Sequence, residues 1–529
     1  HQRILKGIDI LDSNSSAFEA FRLSNTAIYL QMFQSEQHFN EKKDGYEIYE
    51  RSQSPQYEYN DYEIIDYPNN EKQPAWRPFQ LAFILQCIPS FVEENCEDLD
   101  LVDLLYFPTG GGKTEAYLAV SAFLIFLRRL QYPNKYDGVN VIIRYTLRLL
   151  SAQQFERASK LILACEFIRR SNKEKLGVDE ISIGFWVGDK TIPNSMDRAE
   201  AELTKIQKKL NDGKLGINPF QLANCQWCNT KIISKATEFS NYVIGHRIGS
   251  KKLISHCLNP KCIFHAHLPV VLIDDDIYKK PPTILFATVD KFARLAWKDD
   301  AINLFNYGQN RKPELIIQDE LHLINGPLGS LVGLFENVVL SLCTTETQRP
   351  KIIASTATIK NVENQISGLY GKKMSIFPQY ATNSDDTFFS KTQQSSKRRY
   401  VGVLPTGKSK TMTSLRLTAA LLLARLEIWQ KDKDFANAYW TILSYYKSLK
   451  EIGRFSNKIT SELKPEIEQL QVRNLLNNDE QKNNYLRLDY KNLELTSRIP
   501  NEKIKKNLDK LSFDIVNLFD LEKFNKGFA

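Results

Sequence analysis

A glycine-rich loop at residues 108–114, with the sequence PTGGGKT, carries residue types that bind the phosphates of a nucleotide. Backbone N–H groups of such a turn, at the start of a helix, point towards a triphosphate. We expect Thr109, Gly110, Gly111 and Gly112 to form this cradle. Lys113 would reach the β- and γ-phosphates, and the hydroxyl of the following threonine, Thr114, would bind Mg²⁺.

An acidic pair, Asp319 and Glu320, follows the apolar segment 314–318 and could complete a nucleotide-hydrolysing site. We expect Asp319 to hold the same Mg²⁺, directly or through water, and Glu320 to polarise the attacking water. On its own, an acidic pair after an apolar segment is equally typical of a solvated loop. The glycine-rich loop upstream is what favours the catalytic interpretation.

A second segment, Gly402–Ser409, matches the phosphate-loop pattern G-x-x-x-x-G-K-[ST] literally, whereas the first has Phe107 in place of the first glycine. A phosphate loop needs a buried strand before it and a helix behind it. Residues 103–130 predict both, but the basic residues 397–399 make a poor buried strand. We therefore assign the phosphates to Lys113 and expect the second segment to be a surface turn.

Four of the eight cysteines form two close pairs, Cys225 with Cys228 and Cys257 with Cys262. Cys-x₂-Cys and Cys-x₄-Cys segments separated by 28 residues predict a four-thiolate zinc site. The alternative, scattered reduced cysteines, is disfavoured by the pairing. We expect the metal to be structural, holding together an insertion with little core of its own.

The glycine-rich loop and the acidic pair each follow a short apolar segment, and helical periodicity fills the intervals between such segments. The apolar segments are residues 103–107, 139–143, 181–187, 284–287, 314–318 and 351–354, with a later strand-like segment at 438–443. This alternation predicts an α/β fold with a parallel sheet covered by helices on both faces. Ligands bind at the carboxyl edge of such a sheet.

The amino-acid composition limits the classes of protein to which the chain could belong. The 529 residues are 42% hydrophobic and carry a net charge of +8, which predicts a folded protein of about three or four domains and excludes a mainly disordered chain. No apolar run approaches the ~20 residues of a spanning helix, so an integral membrane protein is not expected. The chain starts at His1 without a secretory leader, which predicts an intracellular, trimmed or fragmentary protein.

The order of the motifs resembles that of the superfamily 2 helicases. The glycine-rich loop corresponds to their motif I, and the DELH sequence at 319–322 matches their DExH box. The STAT sequence at 355–358 resembles the SAT sequence of their motif III, with a threonine inserted after the serine. Longer segments, among them RYTLRLLSAQQFERA, ATVDKFARLAW and IIQDELHLINGPLGSLVGLFE, are similar to the helicases of the DISARM anti-phage systems over about residues 76–450. The resemblance implies an ATP-dependent DNA helicase or translocase with RecA-like lobes.

The resemblance also implies roles for individual residues. Gln80 would read the adenine, and His322 would act with the catalytic residues Lys113, Asp319 and Glu320. The residues implied to couple hydrolysis to movement are Ser355, Thr356, Ala357 and Thr358. The residues implied to contact nucleic acid, each of which could equally be a solvated side chain, are Arg144, Arg148, Thr288, Lys291 and Arg294.

The predicted domains follow from these assignments. Residues 1–75 form an N-terminal extension, residues 76–190 and 281–390 a RecA-like lobe, residues 191–280 the zinc-binding insertion, and residues 391–529 a linker and a partial second RecA-like lobe. The implied cofactors are ATP, Mg²⁺ and Zn²⁺. The implied partners are DNA with a single-stranded region and a DISARM protein with a DUF1998 region. The implied location is the cytoplasm, without a membrane partner.

Nothing resembling motif V, or motif VI with its arginine finger, occurs before Ala529. Either the chain is cut before these motifs or they lie on another polypeptide. In both cases we expect weak ATP hydrolysis by these residues alone, since such an arginine contributes ~10³–10⁵ in rate. Two alternatives stay open: a non-catalytic, nucleotide-gated DNA-binding scaffold that recruits effectors, and a zinc-centred nucleic-acid-binding protein with a vestigial nucleotide fold. The acidic, tyrosine-rich segment 41–70 is either a mobile surface segment or a plug for a basic channel.

Overall fold

The computed structural model describes residues 1–36, 75–108, 110–146, 148–188, 192–214, 218–235, 242–306, 311–358, 360–379, 381–383, 387–391, 399–432, 435–436, 438–473 and short stretches within 492–511. The acidic segment 41–70 and Thr109 lie outside these residues. The chain divides into two compact units, His1–Thr392 and Gln393–Ala529, and each is described by itself.

An eight-stranded parallel sheet forms the centre of the first unit. Its strands are β1 (Leu101–Tyr106), β2 (Val141–Tyr145), β3 (Ile183–Trp186), β8 (Val270–Val271), β9 (Ile284–Thr288), β10 (Leu315–Gln318), β11 (Lys351–Thr356) and β12 (Lys373–Phe377). Their order across the sheet is β12-β1-β11-β10-β2-β9-β3-β8. The predicted parallel sheet is confirmed, and β12 and β8 are strands that the apolar segments did not predict.

Helices cover both faces of this sheet. The helices of the first unit are α1 (Gln2–Ser13), α2 (Ser15–Glu36), α3 (Pro78–Cys87), α4 (Pro89–Val92), α5 (Lys113–Gln131), α6 (Arg148–Ser171), α7 (Lys173–Leu176), α8 (Met196–Asn211), α9 (Asp274–Lys279), α10 (Gly326–Cys343) and α11 (Val362–Tyr370), of which α8 packs on the insertion hairpins described below. Short 3₁₀ helices span Glu97–Asp100, Val289–Ala296, Asp299–Phe305 and Leu321–Leu323. Because successive strand residues point to opposite faces, Ile317 packs into the core beneath α5 and α6, and Ile316 into the core beneath α10 and α11.

The first two helices complete one face of the sheet, although residues 1–36 show only weak patterning in the sequence. Helix α2 packs on α5 and α6. Arg3 of α1 reaches the sheet, where its guanidinium donates two 2.7 Å hydrogen bonds to the fully buried carboxylate of Asp103 in β1. Lys351 of β11 lies 3.0 Å from the same carboxylate. Two cations therefore neutralise the buried acid and fix the N-terminal helices to the sheet.

The cysteine-bearing segment leaves the sheet after β3 and returns to it at β8. Between these strands lie α8 and two antiparallel hairpins, β4 (Ile233–Lys235) with β5 (Tyr242–Ile244), and β6 (His246–Gly249) with β7 (Lys252–Ser255). Strand β8 pairs with β3 in parallel, so the insertion ends before residue 270 and not at 280. The insertion is thus an outgrowth at the β3 edge of the sheet.

The second unit contains a pair of helices, α12 (Lys410–Lys431) and α13 (Leu449–Arg473), packed through Leu415, Ala419, Phe455 and Leu463. The strand expected at 438–443 is wrong: these residues have no strand partner. Instead the Trp440 carbonyl accepts a 2.7 Å hydrogen bond from Arg425 of α12. The described part of this unit contains no strand, and its assignment to a second RecA-like lobe stays a prediction.

Among the described helices, α10 is long and apolar enough by length and composition to cross a membrane, which the sequence analysis did not anticipate. Core helices of soluble proteins meet the same criterion. In this fold α10 packs on α11 and buries Val332, Glu336, Val339 and Cys343, but only 22% of the helix is buried.

Candidate nucleotide site and zinc centre

The glycine-rich loop joins β1 to α5 and is built around two left-handed glycines. Gly110 has φ +78° and Gly112, which caps the start of α5, has φ +92°. A side chain at Gly112 would also place its Cβ 2.6 Å from Nε2 of Gln80, so only glycine fits there. The ammonium group of Lys113 donates a 2.6 Å hydrogen bond to the carbonyl of Phe107 and so closes over the loop.

Two side chains at the start of α3 form hydrogen bonds with this loop. Gln80 Nε2 donates a 2.7 Å hydrogen bond to the carbonyl of Gly112, and Gln80 Oε1 accepts one of 2.9 Å from the backbone N–H of Arg77. The Arg77 guanidinium donates a 2.7 Å hydrogen bond to the carbonyl of Gly111. The structure thus places Gln80 against the phosphate loop; its contact with adenine stays a prediction.

The acid pair lies at the same edge of the sheet as the loop. Strand β11 stands between β1 and β10, so Asp319, which follows β10, is two strand spacings, roughly 10 Å, from the end of β1. Its Oδ1 accepts hydrogen bonds from the Ser355 hydroxyl at 2.6 Å and from the Glu320 backbone N–H at 2.9 Å. Its Oδ2 accepts a 2.9 Å hydrogen bond from the Tyr117 hydroxyl.

The charges at this edge influence one another. Burial lowers the pKa of the Lys113 ammonium, and the carboxylates of Asp319 and Glu320 oppose that shift. Burial and the neighbouring Asp319 raise the pKa of Glu320, while His322 and Lys113 oppose the rise. The lysine and both acids therefore share one electrostatic environment, as a site for a charged ligand requires.

His322 lies between Glu320 of the acid pair and Thr356 at the carboxyl end of β11. Its Nδ1 lies 3.3 Å from a carboxylate oxygen of Glu320 and 3.3 Å from the Thr356 hydroxyl. That hydroxyl donates a 3.0 Å hydrogen bond to the carbonyl of Thr358. Gln365 of α11 fixes the backbone here by donating a 3.0 Å hydrogen bond to the carbonyl of Leu321. Residues 355–358 are thus in direct contact with the acid loop.

Oxygen donors that suit Mg²⁺ are present at this edge. Mg²⁺ prefers carboxylate and hydroxyl oxygens together with phosphate and water. Thr114, in the first turn of α5, has its Oγ1 3.5 Å from Oε1 of Gln154, and Asp319 supplies the carboxylate. The donor set fits the ion that the sequence predicts.

Three residues predicted to contact nucleic acid are buried instead, and the prediction is wrong for them. Arg144 is 1% exposed and forms an ion pair with Glu336 of α10. Lys291 is 2% exposed, lies 2.7 Å from a carboxylate oxygen of Asp274 and donates a 2.8 Å hydrogen bond to the Val187 carbonyl. The Thr288 side chain is buried as well.

The other two predicted contacts have a different environment. Arg294, in the 3₁₀ helix Val289–Ala296, is exposed. Arg148 begins α6 directly after the carboxyl end of β2, and its side chain is outside the described residues. The inference of a basic, nucleic-acid-binding surface next to the sheet edge therefore depends on the exposed Arg294 and on the position of α6.

The four paired cysteines converge as predicted. Their sulfur atoms all lie within 4.8 Å of one another, and all four residues are buried. The Cys225–Cys262 and Cys228–Cys257 sulfur distances are 4.0 and 3.4 Å. Sulfurs at ~2.3 Å from a tetrahedral zinc ion would be about 3.8 Å apart, so the group fits a zinc site.

The neighbouring histidines contact other groups. His265 Nδ1 lies 2.7 Å from the Cys257 carbonyl, and His267 Nε2 lies 3.0 Å from a carboxylate oxygen of Glu180. His246, which sequence reasoning did not single out, is buried between Asn218 and Ser255. These contacts agree with a site made of the four thiolates.

Sequence reasoning assigned no role to three side chains next to the candidate nucleotide site: Arg77, Tyr117 and Tyr145. Tyr117 lies four residues after Lys113 and so on the same face of α5. That spacing could have identified Tyr117 from the sequence. The positions of Arg77 and Tyr145 depend on packing between distant segments, so no local sequence pattern identifies them.

Together, these features define a class of protein. A glycine-rich phosphate loop after β1, an acid pair after β10 and a hydroxyl-rich loop after the intervening β11 are arranged as in a RecA-like lobe of the superfamily 2 helicases.

Comparison with known proteins shows a more specific similarity within this class. The chain is similar to the DISARM protein DrmA of Bacillus paralicheniformis, with 34% identity over 571 residues covering 97% of this chain and 48% of that protein. The resemblance to the DISARM helicases is thereby confirmed, and the chain spans about half the length of the curated relative it matches. No family model matches the chain.

Solved structures with local likeness include helicases. The DUF1998 helicase MrfA covers 73% of this chain and 38% of its own, at 14% identity and a TM-score of 0.37. MrfA bound to DNA covers 56% and 26%, at 15% identity and a TM-score of 0.30. Mss116p bound to ssRNA and AMP-PNP covers 56% and 42%, at 12% identity and a TM-score of 0.29.

Proposed function

We propose that the chain carries the ATP-binding lobe of a DNA helicase or translocase in a DISARM-like anti-phage system. The observation that supports this most strongly is the convergence of Lys113, Asp319 and Glu320 at one sheet edge. The similarity to DrmA along nearly the whole chain supports the biological setting. A cytoplasmic location and a DUF1998-containing partner protein belong to the same proposal.

In this mechanism the phosphate loop binds the triphosphate and Lys113 balances the charge on its β- and γ-phosphates. Bound Mg²⁺, held by Thr114 and Asp319, supplies further neutralisation of the phosphate oxygens. Glu320, whose carboxylate is half-buried beside Asp319, orients and polarises the attacking water. The raised pKa of Glu320 makes it a stronger base than an exposed glutamate.

Coupling to nucleic acid is proposed to pass through the loop after β11. His322 contacts both Glu320 and Thr356, so a change at the acid pair on hydrolysis can reach residues 355–358 directly. The exposed Arg294 and the start of α6 are the proposed contacts with the DNA backbone. Zinc in the Cys225 cluster is proposed to hold the insertion in place, without a part in hydrolysis.

The proposal is tested by measuring ATP hydrolysis by the 529-residue chain with and without single-stranded DNA. We expect slow hydrolysis that DNA stimulates and that Glu320→Gln abolishes while nucleotide binding persists. ATP-dependent DNA binding without any turnover would favour the nucleotide-gated scaffold instead. Unchanged DNA binding and activity in Lys113→Ala would favour a zinc-centred nucleic-acid-binding protein.

A further inference from the structure

The hydroxyl groups of two buried tyrosines form a hydrogen-bonded chain that ends at the carboxylate of Asp319. The Tyr117 hydroxyl donates a 2.9 Å hydrogen bond to Asp319 Oδ2, and the Tyr145 hydroxyl lies 2.5 Å from that of Tyr117. Tyr117 is 1% exposed, Tyr145 is 2% exposed and Asp319 is 4% exposed. Because all three are buried, solvent cannot substitute for these hydrogen bonds.

The local fold fixes both rings. Tyr117 is one helical turn after Lys113 in α5, so its hydroxyl is carried by the same helix that begins at the phosphate loop. Tyr145 is the last residue of β2, the neighbour of β10, and its ring stacks on Phe286 of β9 with centroids 4.9 Å apart. The hydroxyl pair thus joins α5, β2 and the acid loop at one point.

We propose that Tyr117 and Tyr145 are positioning residues for Asp319 as the Mg²⁺ ligand. The inference rests on the proposed function, in which Asp319 binds the Mg²⁺ of a bound nucleotide. Oδ1 is already held by Ser355 and the Glu320 N–H, and the tyrosine hydroxyl fixes Oδ2. A carboxylate held on both oxygens presents its remaining lone pairs in one direction. Hydrogen bonds to a metal ligand typically contribute about 10–100-fold to metal affinity.

The test compares three Tyr→Phe variants of the 529-residue chain, because phenylalanine keeps the ring and removes only the hydroxyl. Tyr278→Phe is the matched control: its hydroxyl is also buried and accepts a 2.9 Å hydrogen bond, from Trp186, on the other face of the sheet. Mg²⁺ is titrated at fixed concentrations of the fluorescent nucleotide mant-ADP, and the half-saturating Mg²⁺ concentration is recorded.

We expect this concentration to rise about tenfold in Tyr117→Phe and by less in Tyr145→Phe, and to stay within twofold of wild type in Tyr278→Phe. At saturating Mg²⁺ all three variants should bind mant-ADP as tightly as wild type. Asp319→Asn should show the largest rise.

Three results would overturn the inference: an unchanged half-saturating Mg²⁺ concentration in Tyr117→Phe, an equal rise in Tyr278→Phe, or weak mant-ADP binding in Tyr117→Phe that saturating Mg²⁺ does not restore. A wild-type chain that binds no mant-ADP would instead overturn the proposed function, and the inference with it. The two failures are therefore distinguishable.

Discussion

The imidazole Nδ1 of His322 lies 3.3 Å from the hydroxyl of Thr356. This contact joins the loop after β10, which carries the acid pair, to the last residue of β11. The two strands are adjacent and parallel, with Gln318 beside Ala354. In the proposed mechanism, this contact is the path by which a change at the acid pair reaches residues 355–358.

Removing this contact should uncouple hydrolysis from nucleic acid. In Thr356→Val the side chain keeps its shape but loses the hydroxyl, so we expect basal ATP hydrolysis within about twofold of wild type and most of the stimulation by single-stranded DNA to disappear. The measurement is the ATPase rate at increasing DNA concentration. Ser341→Ala in α10, distant from this loop, serves as the control and should behave as wild type. Full stimulation in Thr356→Val would contradict a coupling role for residues 355–358.

The pH dependence of hydrolysis should report the environment of Glu320. Burial and Asp319 raise its pKa, and the water-polarising form is the deprotonated one. Activity is therefore present above the Glu320 pKa and lost as the pH falls through it. We expect the acid limb of kcat/KM for ATP to lie above the ordinary glutamate pKa of ~4.3. Because His322 opposes the rise, His322→Ala should move this limb to higher pH. An acid limb at or below ~4.3 would contradict the assignment of Glu320.

The two basic residues of the Val289–Ala296 helix should behave in opposite ways. Arg294→Ala should weaken DNA binding and reduce the salt dependence of binding by about one unit of slope, as expected for one lost phosphate contact. Lys291→Ala should leave DNA affinity unchanged but lower the free energy of unfolding by about 3 kcal/mol, because Asp274 would keep a buried, unpaired charge. DNA-binding titrations at several salt concentrations and urea unfolding separate the two effects. A loss of DNA affinity in Lys291→Ala but not in Arg294→Ala would show instead that Lys291 is the residue that contacts DNA.

The zinc site can be tested independently of nucleotide chemistry. Metal analysis of the purified chain should find one zinc ion per molecule, and Cys225→Ser should lose it and lower the melting temperature. Cys165→Ala, which changes a buried cysteine outside the cluster, should retain the metal. Zinc retained in Cys225→Ser at full stoichiometry would show that the four thiolates are not the ligand set.

The sequence predicted those parts of the fold and site that depend on local pattern. The phosphate loop and Asp319 are recognisable because a short apolar segment precedes each, and such segments form buried parallel strands. The position of β11 between them follows from the chain topology and was not available from spacing alone. The cysteine cluster was predictable because ligand spacing within each pair is local.

The errors share a physical cause. Arg144 and Lys291 are basic residues near the ends of strands, and in the sequence they have the same appearance as surface contacts with a polyanion. Only the folded structure shows that Glu336, 192 residues away from Arg144, neutralises it inside the protein. The segment 438–443 is apolar and aromatic enough for a strand, but among the described residues it has no neighbouring strand to accept its hydrogen bonds.

The central claim is that the loop at Gly110–Thr114, and not the literal match at Gly402–Ser409, binds the nucleotide. Lys113 covers a loop between a buried strand and a helix, whereas Lys408 is exposed and residues 399–408 contain no strand. The most direct measurement is the affinity of mant-ATP, in the presence of Mg²⁺, for wild type, Lys113→Ala and Lys408→Ala. The account predicts at least a tenfold loss of affinity in Lys113→Ala and wild-type affinity in Lys408→Ala. Wild-type affinity in Lys113→Ala would contradict it, as would a loss confined to Lys408→Ala.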